Sequence, residues 1–425
     1  MPTSNVDLVL NAEKRRRAYI TEAVTALRKD VETTDFATLS QIYGPWSQAL
    51  ERVNRHITVA QEDIDAAAAQ YGKVGHCLLR TLQWPENSIE VCPQGSASTQ
   101  TLIRYPDRTK FDIDAVCQVD ISRVDASDPV GFFESVGDAL RAFSPTAKKR
   151  CWNIAYPGER FYLEFTPSIP LSTVSDQIVE AMAPRFLPAH GYEGTALAVV
   201  DMPTKRWKTS NPKGFTRWVD ETADLSLIRF ETSEFASLRR IRAGVEDVPD
   251  QDVEITDTLR AAIRLFKRHR DMCVRREIIE GEFKPISVVI VTLLTRCYAG
   301  LAAANRSYAH PLLLLVELAE LLPHMVAPEG EYRVDNPTVD GENFAERWND
   351  DNDSRYRAFR TWCDVLGAGL RLILQERGDQ AIRAEVDRVF GTTGAADADN
   401  DNEIRPLQAS AHRPPPPPPR TVGLA

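Results

Sequence analysis

Phe111-Asp112-Ile113-Asp114-Ala115 alternates apolar and acidic residues with a period of two. That is the period of a β-strand, in which residues two apart project from the same face. Asp112 and Asp114 would therefore point together while Phe111, Ile113 and Ala115 pack behind them. Two neighbouring carboxylates repel unless a proton or a cation sits between them. Alone, the pattern fits a solvated sheet edge as well as a metal site. A second run adds weight. Trp152 to Tyr156 and Phe161 to Thr166 are joined by Pro157-Gly158-Glu159-Arg160, with Pro and Gly in turn positions, so a β-hairpin is predicted. In its second strand Phe161, Leu163 and Phe165 share one face, leaving Tyr162, Glu164 and Thr166 on the other. Lying near the first strand, this one would bring Glu164 to the aspartates as a third oxygen ligand. Hard oxygen donors suit Mg²⁺, or Mn²⁺ in its place. Two such ions would activate an attacking hydroxyl and neutralise a leaving pyrophosphate.

Just upstream, Ser88 to Val91 reads as a short strand running into Pro93-Gln94-Gly95-Ser96. A glycine lets backbone approach a phosphate closely, and loop N–H groups can cradle an anion. Most Gly-Ser pairs are simply turns; position before the acidic strand gives this one its interest. Phe132 to Phe143 is predicted as a helix, and so is Asp176 to Phe186, followed by a long irregular stretch through Lys213. On the N-terminal side, apolar residues recur at helical spacing through Tyr19, Ile20, Val24 and Leu27, and again from Leu50 through Val53, Ile57 and Ile64. From Thr256 the chain is mostly helical to about Phe390, with Pro285 at the first turn of a helix. Beyond Gly391, an acidic stretch and six consecutive prolines, Pro414 to Pro419, lack the apolar content to fold, so a disordered tail is expected.

The bulk numbers narrow the function. With 425 residues, 43% hydrophobic and 26% charged, the chain can bury a large core. A formal net charge of -10 argues against stable nucleic-acid binding, which needs many phosphates neutralised. The apolar runs Val288 to Leu294 and Leu312 to Leu322 are too short and too polar to cross a bilayer, so buried helices and no membrane association are expected. Seven cysteines form no close pair with metal-ligand spacing, and a cytoplasmic protein with reduced thiols is expected.

Gly95-Ser96, followed by Thr99 or Thr101, then Asp112-Ile113-Asp114 and Leu163-Glu164-Phe165-Thr166-Pro167, resembles the active-site pattern of polymerase-β-like nucleotidyltransferases. Trp207 with Ser210-Asn211-Pro212-Lys213-Gly214, then Lys267-Arg268-His269-Arg270-Asp271, Lys284-Pro285-Ile286-Ser287 and Asn336-Pro337 with Glu342-Asn343-Phe344, narrows the resemblance to the bacterial cGAS/DncV-like enzymes (CD-NTases). It runs from roughly residue 40 to 390, with one departure: the third carboxylate is often Asp and here is Glu164.

The resemblance implies an α+β, bilobed fold, with a mixed-sheet catalytic lobe and a helical lobe. It divides the chain into an N-terminal helical region spanning the lobes (1–84), a catalytic core (85–215), a helical lobe (216–390) and the tail (391–425). It implies two metal ions on Asp112, Asp114 and Glu164, and ATP and GTP as substrates. Gly95, Ser96, Lys267 and Ser287 are the matching nucleotide-binding residues. The expected product is a cyclic dinucleotide, cGAMP-like by preference, that activates a downstream effector in anti-phage (CBASS) signalling. The alternatives are a linear or protein-modifying nucleotidyltransferase and a non-catalytic nucleotide sensor. The resemblance also implies a ubiquitin-ligase-like partner acting on the C-terminal Ala425. Lys213 is a weaker phosphate-contact candidate, His269 is read as a surface or interface residue, and Trp207 and Trp218 are left between core and base-stacking roles.

Overall fold

The computed structural model describes residues 4–17, 36–106, 110–182, 186–228, 248–327 and 330–392, with side chains from residue 44 onward in the second segment. The helix read through Tyr19 to Leu27, and nearly all of the tail, lie outside the described residues.

The strands are β1 (Ile89–Gln94), β2 (Phe111–Val119), β3 (Thr146–Ala147), β4 (Trp152–Ala155), β5 (Phe161–Pro170), β6 (Leu187–Pro188), β7 (Leu197–Asp201), β8 (Arg206–Ser210) and β9 (Val339–Asp340). Seven form one mixed sheet, ordered β1-β2-β5-β4-β3, with β7 on the far end of β5 and β8 beyond it. The β4–β5 hairpin forms as read, with Asn153 opposite Glu164. β2 and β5 pair in parallel, so Asp112 faces Tyr162 and Asp114 faces Glu164 across adjacent strands. Alternation sets the rest: Phe111, Ile113, Ala115, Phe161, Leu163 and Phe165 are all buried in one core. That core also holds Ile64, Tyr71, Val74 and Leu78 from the helix Gln61–Thr81 and Phe133 and Val136 from Pro129–Ala139.

A second core is helical. It gathers Thr258–Arg275, Ser287–Ala303, Pro311–Met325, Ser354–Gln375 and Asp379–Phe390 with Asn5–Arg17 and Phe36–Ile57. The first two described helices thus join the helical core while Gln61–Thr81 packs on the sheet. The long apolar reading from Leu50 to Ile64 is broken at 58–60, where the chain crosses between cores. The apolar runs near 290 and 316 are buried helices, and the acids of the second are partnered: Glu317 and Glu320 lie 3.0 and 3.3 Å from Arg16. Among the described residues no helix is long and apolar enough to cross a membrane.

Several expectations are corrected. The stretch before Lys213 is not irregular: it contains β7 and β8, and Leu197-Ala198-Val199-Val200 is a short fully buried strand. Asn211 caps the helix Pro212–Ala223 by accepting from the Gly214 N–H at 3.0 Å, with Pro212 in the first turn. Asp176–Ala181 is shorter than read, and Pro129–Ala139 starts earlier because Asp128 caps it. Pro285 lies before its helix, which opens at Ser287. The helical lobe is interrupted between Arg333 and Asp353, where β9 pairs with β6.

Candidate active site

β1 ends at Gln94, and the chain turns through Gly95 at φ +65 into the helical turn Gly95–Ser98. Gly95 lies against the sheet, and a Cβ there would stand 2.3 Å from Asp114 Oδ2. The turn is tied inward by Thr99 Oγ1, which donates to the Gly95 carbonyl at 3.1 Å. A cavity of about 160 Å³ opens beside it, lined by Ser96, Leu102, Ile103, Tyr105, Asp112, Asp114, Lys267 and Ser287. Residues almost two hundred apart in sequence thus meet in one place between the two cores, where ligand sites commonly form.

Lys267 reaches the cavity from the helix Thr258–Arg275. It is buried, and its Nζ donates to Ser96 Oγ at 2.9 Å and to the Thr101 carbonyl at 2.7 Å. Burial first, and Arg270 next, push its ammonium down to about 7, while Asp271 and Asp114 oppose them. Ser287 stands at the start of its own helix, where Arg270 Nη1 donates to its Oγ at 3.2 Å. Arg270 is in turn held by Asp271, Nε to Oδ1, at 2.8 Å.

The carboxylates divide. Asp112 and Asp114 line the cavity, and Asp112 Oδ1 is buried without a hydrogen-bond partner. Burial pushes Asp114 up to about 7, with Glu164 and then Asp112 adding repulsion. Burial also raises Asp112, against a hydrogen bond from Tyr162. Glu164 does not line the cavity. Lys148 donates to its Oε1, and the Cys151 thiol donates to its Oε2 at 3.5 Å. Among the described residues no three acidic, His or Cys side chains are gathered so as to hold a metal ion as they stand. The aspartate pair fits a divalent cation: hard oxygens, one of them orphaned, carry charge that burial penalises. Glu164 fits only once it exchanges Lys148 for the ion.

Sequence reasoning did not reach Lys148 and Tyr105, and gave no site role to Tyr162, Arg270 and Asp271 although they stand in the runs it singled out. It also held Lys213, which pairs instead with Glu90 at 2.9 Å on the outside of β1 and does not line the cavity. Trp207 is core: it is buried against Phe132, and its Nε1 donates to the Ala126 carbonyl at 2.8 Å. Trp218 packs in the helical core. His269 is buried rather than at the surface, pushed down to about 3 by burial, against Phe390 and Cys273. Asn336 and Asn343 brace the loop around β9, Asn336 donating to Glu342 at 2.7 Å and Asn343 accepting from the Val334 N–H at 2.9 Å.

The Asp114 shift has a measurable sign. Its carboxyl holds its proton to about pH 7 when folded and metal-free, against an ordinary value of 3.8. Its favourable contribution is therefore complete below the ordinary value and lost as pH rises through about 7. Asp114→Asn is expected to stabilise the metal-free protein by roughly 2–4 kcal/mol at about pH 8 and by much less near pH 4. Urea titrations in EDTA at the two pH values check this; equal effects at both would place Asp114 in a solvated setting.

No sequence-family profile matches the chain. It is similar to a c-di-GMP synthase of Roseivirga ehrenbergii, 23% identical over 328 residues that span 76% of each protein. Among solved structures, the CD-NTase CdnG of Bradyrhizobium diazoefficiens in complex with GTP superposes with a TM-score of 0.51 at 18% identity, over 84% of this chain and 99% of that one. CdnC of E. coli MS115-1, solved with ATP, gives a TM-score of 0.53 at 12% identity, over 81% of this chain and 97% of that one. A relative matched along three quarters of both chains, together with the fold shared with CdnG and CdnC, makes this chain similar to the cGAS/DncV-like nucleotidyltransferases in sequence and in fold.

Proposed function

We propose that this chain joins purine nucleoside triphosphates into a cyclic dinucleotide by nucleotidyl transfer. The observation that carries the reading is the cavity itself: two sheet aspartates and Ser96 of the adjoining turn meet Lys267 and Ser287 from two helices of the other core. Two divalent ions on Asp112, Asp114 and a released Glu164 would supply Lewis acidity toward the attacking hydroxyl and the leaving pyrophosphate. The chain's own groups bind and orient. Lys267 and Ser96, already 2.9 Å apart, offer a cation and a hydroxyl to the donor triphosphate. Ser287 opens its helix, where the dipole favours an anion. Attack of one ribose hydroxyl on the donor α-phosphorus forms a phosphodiester and expels pyrophosphate, and a second transfer closes the ring.

Incubation with labelled ATP, GTP or both, followed by phosphatase and a nuclease specific for linear chains, tests this. A product resisting both treatments is expected. Only linear products, or no pyrophosphate with any mixture, would defeat it. Mass spectrometry separates the mixed adenine–guanine ring, cGAMP-like, from the all-guanine ring for which the Roseivirga relative is named. The same reading makes the product an anti-phage signal for a downstream effector and keeps Ala425 as the residue whose carboxylate a ubiquitin-ligase-like partner would join to other molecules. That residue lies outside the described ones.

A smaller effect belongs to the phosphate contacts. Lys267→Ala and Ser287→Ala should each weaken nucleotide affinity about tenfold or more, since a charge-assisted hydrogen bond contributes roughly 1.5–3 kcal/mol. Calorimetry with non-hydrolysable analogues reads this, and unchanged affinity in both variants would remove the cavity wall from the binding site.

A further inference from the structure

Residues 248–257 strap the two cores together. Val248 packs in the sheet core. Farther along, Asn54 of the helix Phe36–Ile57 donates to the Val253 carbonyl, and the Ile255 N–H donates to Glu51 Oε2 at 3.0 Å. Between these anchors lies Gln251, 1% exposed. Its Nε2 donates to the carbonyls of Ala97 and Pro249 at 3.0 and 2.7 Å, and its Oε1 accepts from the Leu102 N–H at 3.3 Å. One side chain therefore fastens both the middle and the end of the turn that begins at Gly95. Gln100, held at φ +57, adds a tie from its Nε2 to the Asp250 carbonyl at 2.8 Å.

The helix Thr258–Arg275 grips the same turn. Arg260, Arg264 and Lys267 recur at helical spacing on one face. They donate to the carbonyls of Thr99, Gln251 and Thr101 at 3.2, 2.9 and 2.7 Å. Lys267 meets Ser96 on this turn, and the strap's amide is one of the groups that tie the turn down. An amide is required. Glutamate has no proton to give two carbonyls at neutral pH, and methionine offers shape without partners.

We infer that Gln251 is a positioning residue for the nucleotide cavity, setting the Gly95–Leu102 turn so that Ser96 meets Lys267. The inference rests on the nucleotide-binding reading of that turn. Its test is a double-mutant cycle in the full chain, with calorimetric affinity for non-hydrolysable GTP and ATP analogues in Mg²⁺. Gln251→Met should weaken binding about tenfold in the native background, the scale of lost buried hydrogen bonds. In a Lys267→Ala background the same change should cost less than about threefold, because the turn has lost the partner for which it was set. A full tenfold loss in both backgrounds would mean general destabilisation and overturn the inference, as would native affinity in Gln251→Met. Normal binding by Lys267→Ala would overturn the nucleotide reading and this inference with it, whereas weakened Lys267→Ala beside normal Gln251→Met overturns this inference alone. Should Gln251→Met fail to fold by circular dichroism, Gln100→Ala severs the partly exposed tie and should weaken binding about threefold, again only where Lys267 is present. Unchanged binding there overturns the inference.

Discussion

Asp112→Asn combined with Asp114→Asn should abolish synthesis while the protein folds as before. Both side chains face the cavity from one strand, and among the described residues they are the only carboxylates lining it. Amides keep shape and hydrogen bonding but lose the two charges that would hold a divalent ion beside the reacting phosphate. Metal-assisted charge stabilisation amounts to several kcal/mol, so turnover should fall about 10³-fold or more. The fold has little to lose, since an amide oxygen can still accept from Tyr162. Burial and mutual repulsion raise both carboxyls, and Asp112 Oδ1 has no partner to forfeit. Thermal midpoint in EDTA should therefore hold or rise. In wild type, saturating Mn²⁺ at about 100 times Kd should add roughly 2.7 kcal/mol of stability by linkage, and the double variant should show none of it. Residual turnover within tenfold of wild type would sink the metal assignment. Loss of turnover with an intact Mn²⁺ shift would move the metal elsewhere and leave the aspartates another role.

The two acidic strands were legible because their signal is local. Alternation in Phe111 to Ala115 and Phe161 to Thr166 is a property of consecutive residues, and the hairpin turn announces itself in Pro157-Gly158. Leu197 to Val200 was legible in principle as a short apolar run, the mark of a strand buried on both faces, but lacked alternation and was passed over. The helix around Lys267 misleads for a different reason. Lys267-Arg268-His269-Arg270 looks like a solvated face, yet every one of these is buried. Their donors are spent on carbonyls far away in sequence: Arg268 donates to Phe390 at 2.9 Å, Arg270 to Pro285 at 3.1 Å and Lys267 to Thr101 at 2.7 Å. Lys148 on Glu164 is likewise a contact between a short strand-to-strand link and its neighbour, set by register and not by composition. Periodicity reports which side a residue faces; it carries no information about what waits there.

Gly95→Val should disable the enzyme nearly as completely, by geometry and not charge. Gly95 carries φ +65, where a β-branched residue pays steric strain of about 1–2 kcal/mol or more. The second effect is the larger one. A Cβ at this position would lie 2.3 Å from Asp114 Oδ2 and 3.2 Å from its Cγ, so the carboxylate or the turn must move. The turn has little freedom, because the Gly95 carbonyl accepts from Ser98 Oγ and Thr99 Oγ1, both at 3.1 Å. Asp114 is therefore the group displaced, and a misplacement near 1 Å at reacting distance costs about 10²-fold in rate. Gly95→Ala brings the same Cβ without branching and should lie between. Gly158 supplies the control: it has φ +87 in the hairpin turn but nothing within 4 Å of an added Cβ. Gly158→Ala should therefore lose about 1 kcal/mol of stability from backbone strain and keep native turnover. Measuring kcat beside the urea midpoint for all three variants separates strain from displacement. If Gly95→Ala matched Gly158→Ala in both readouts, the close approach of this turn to Asp114 would have no catalytic consequence.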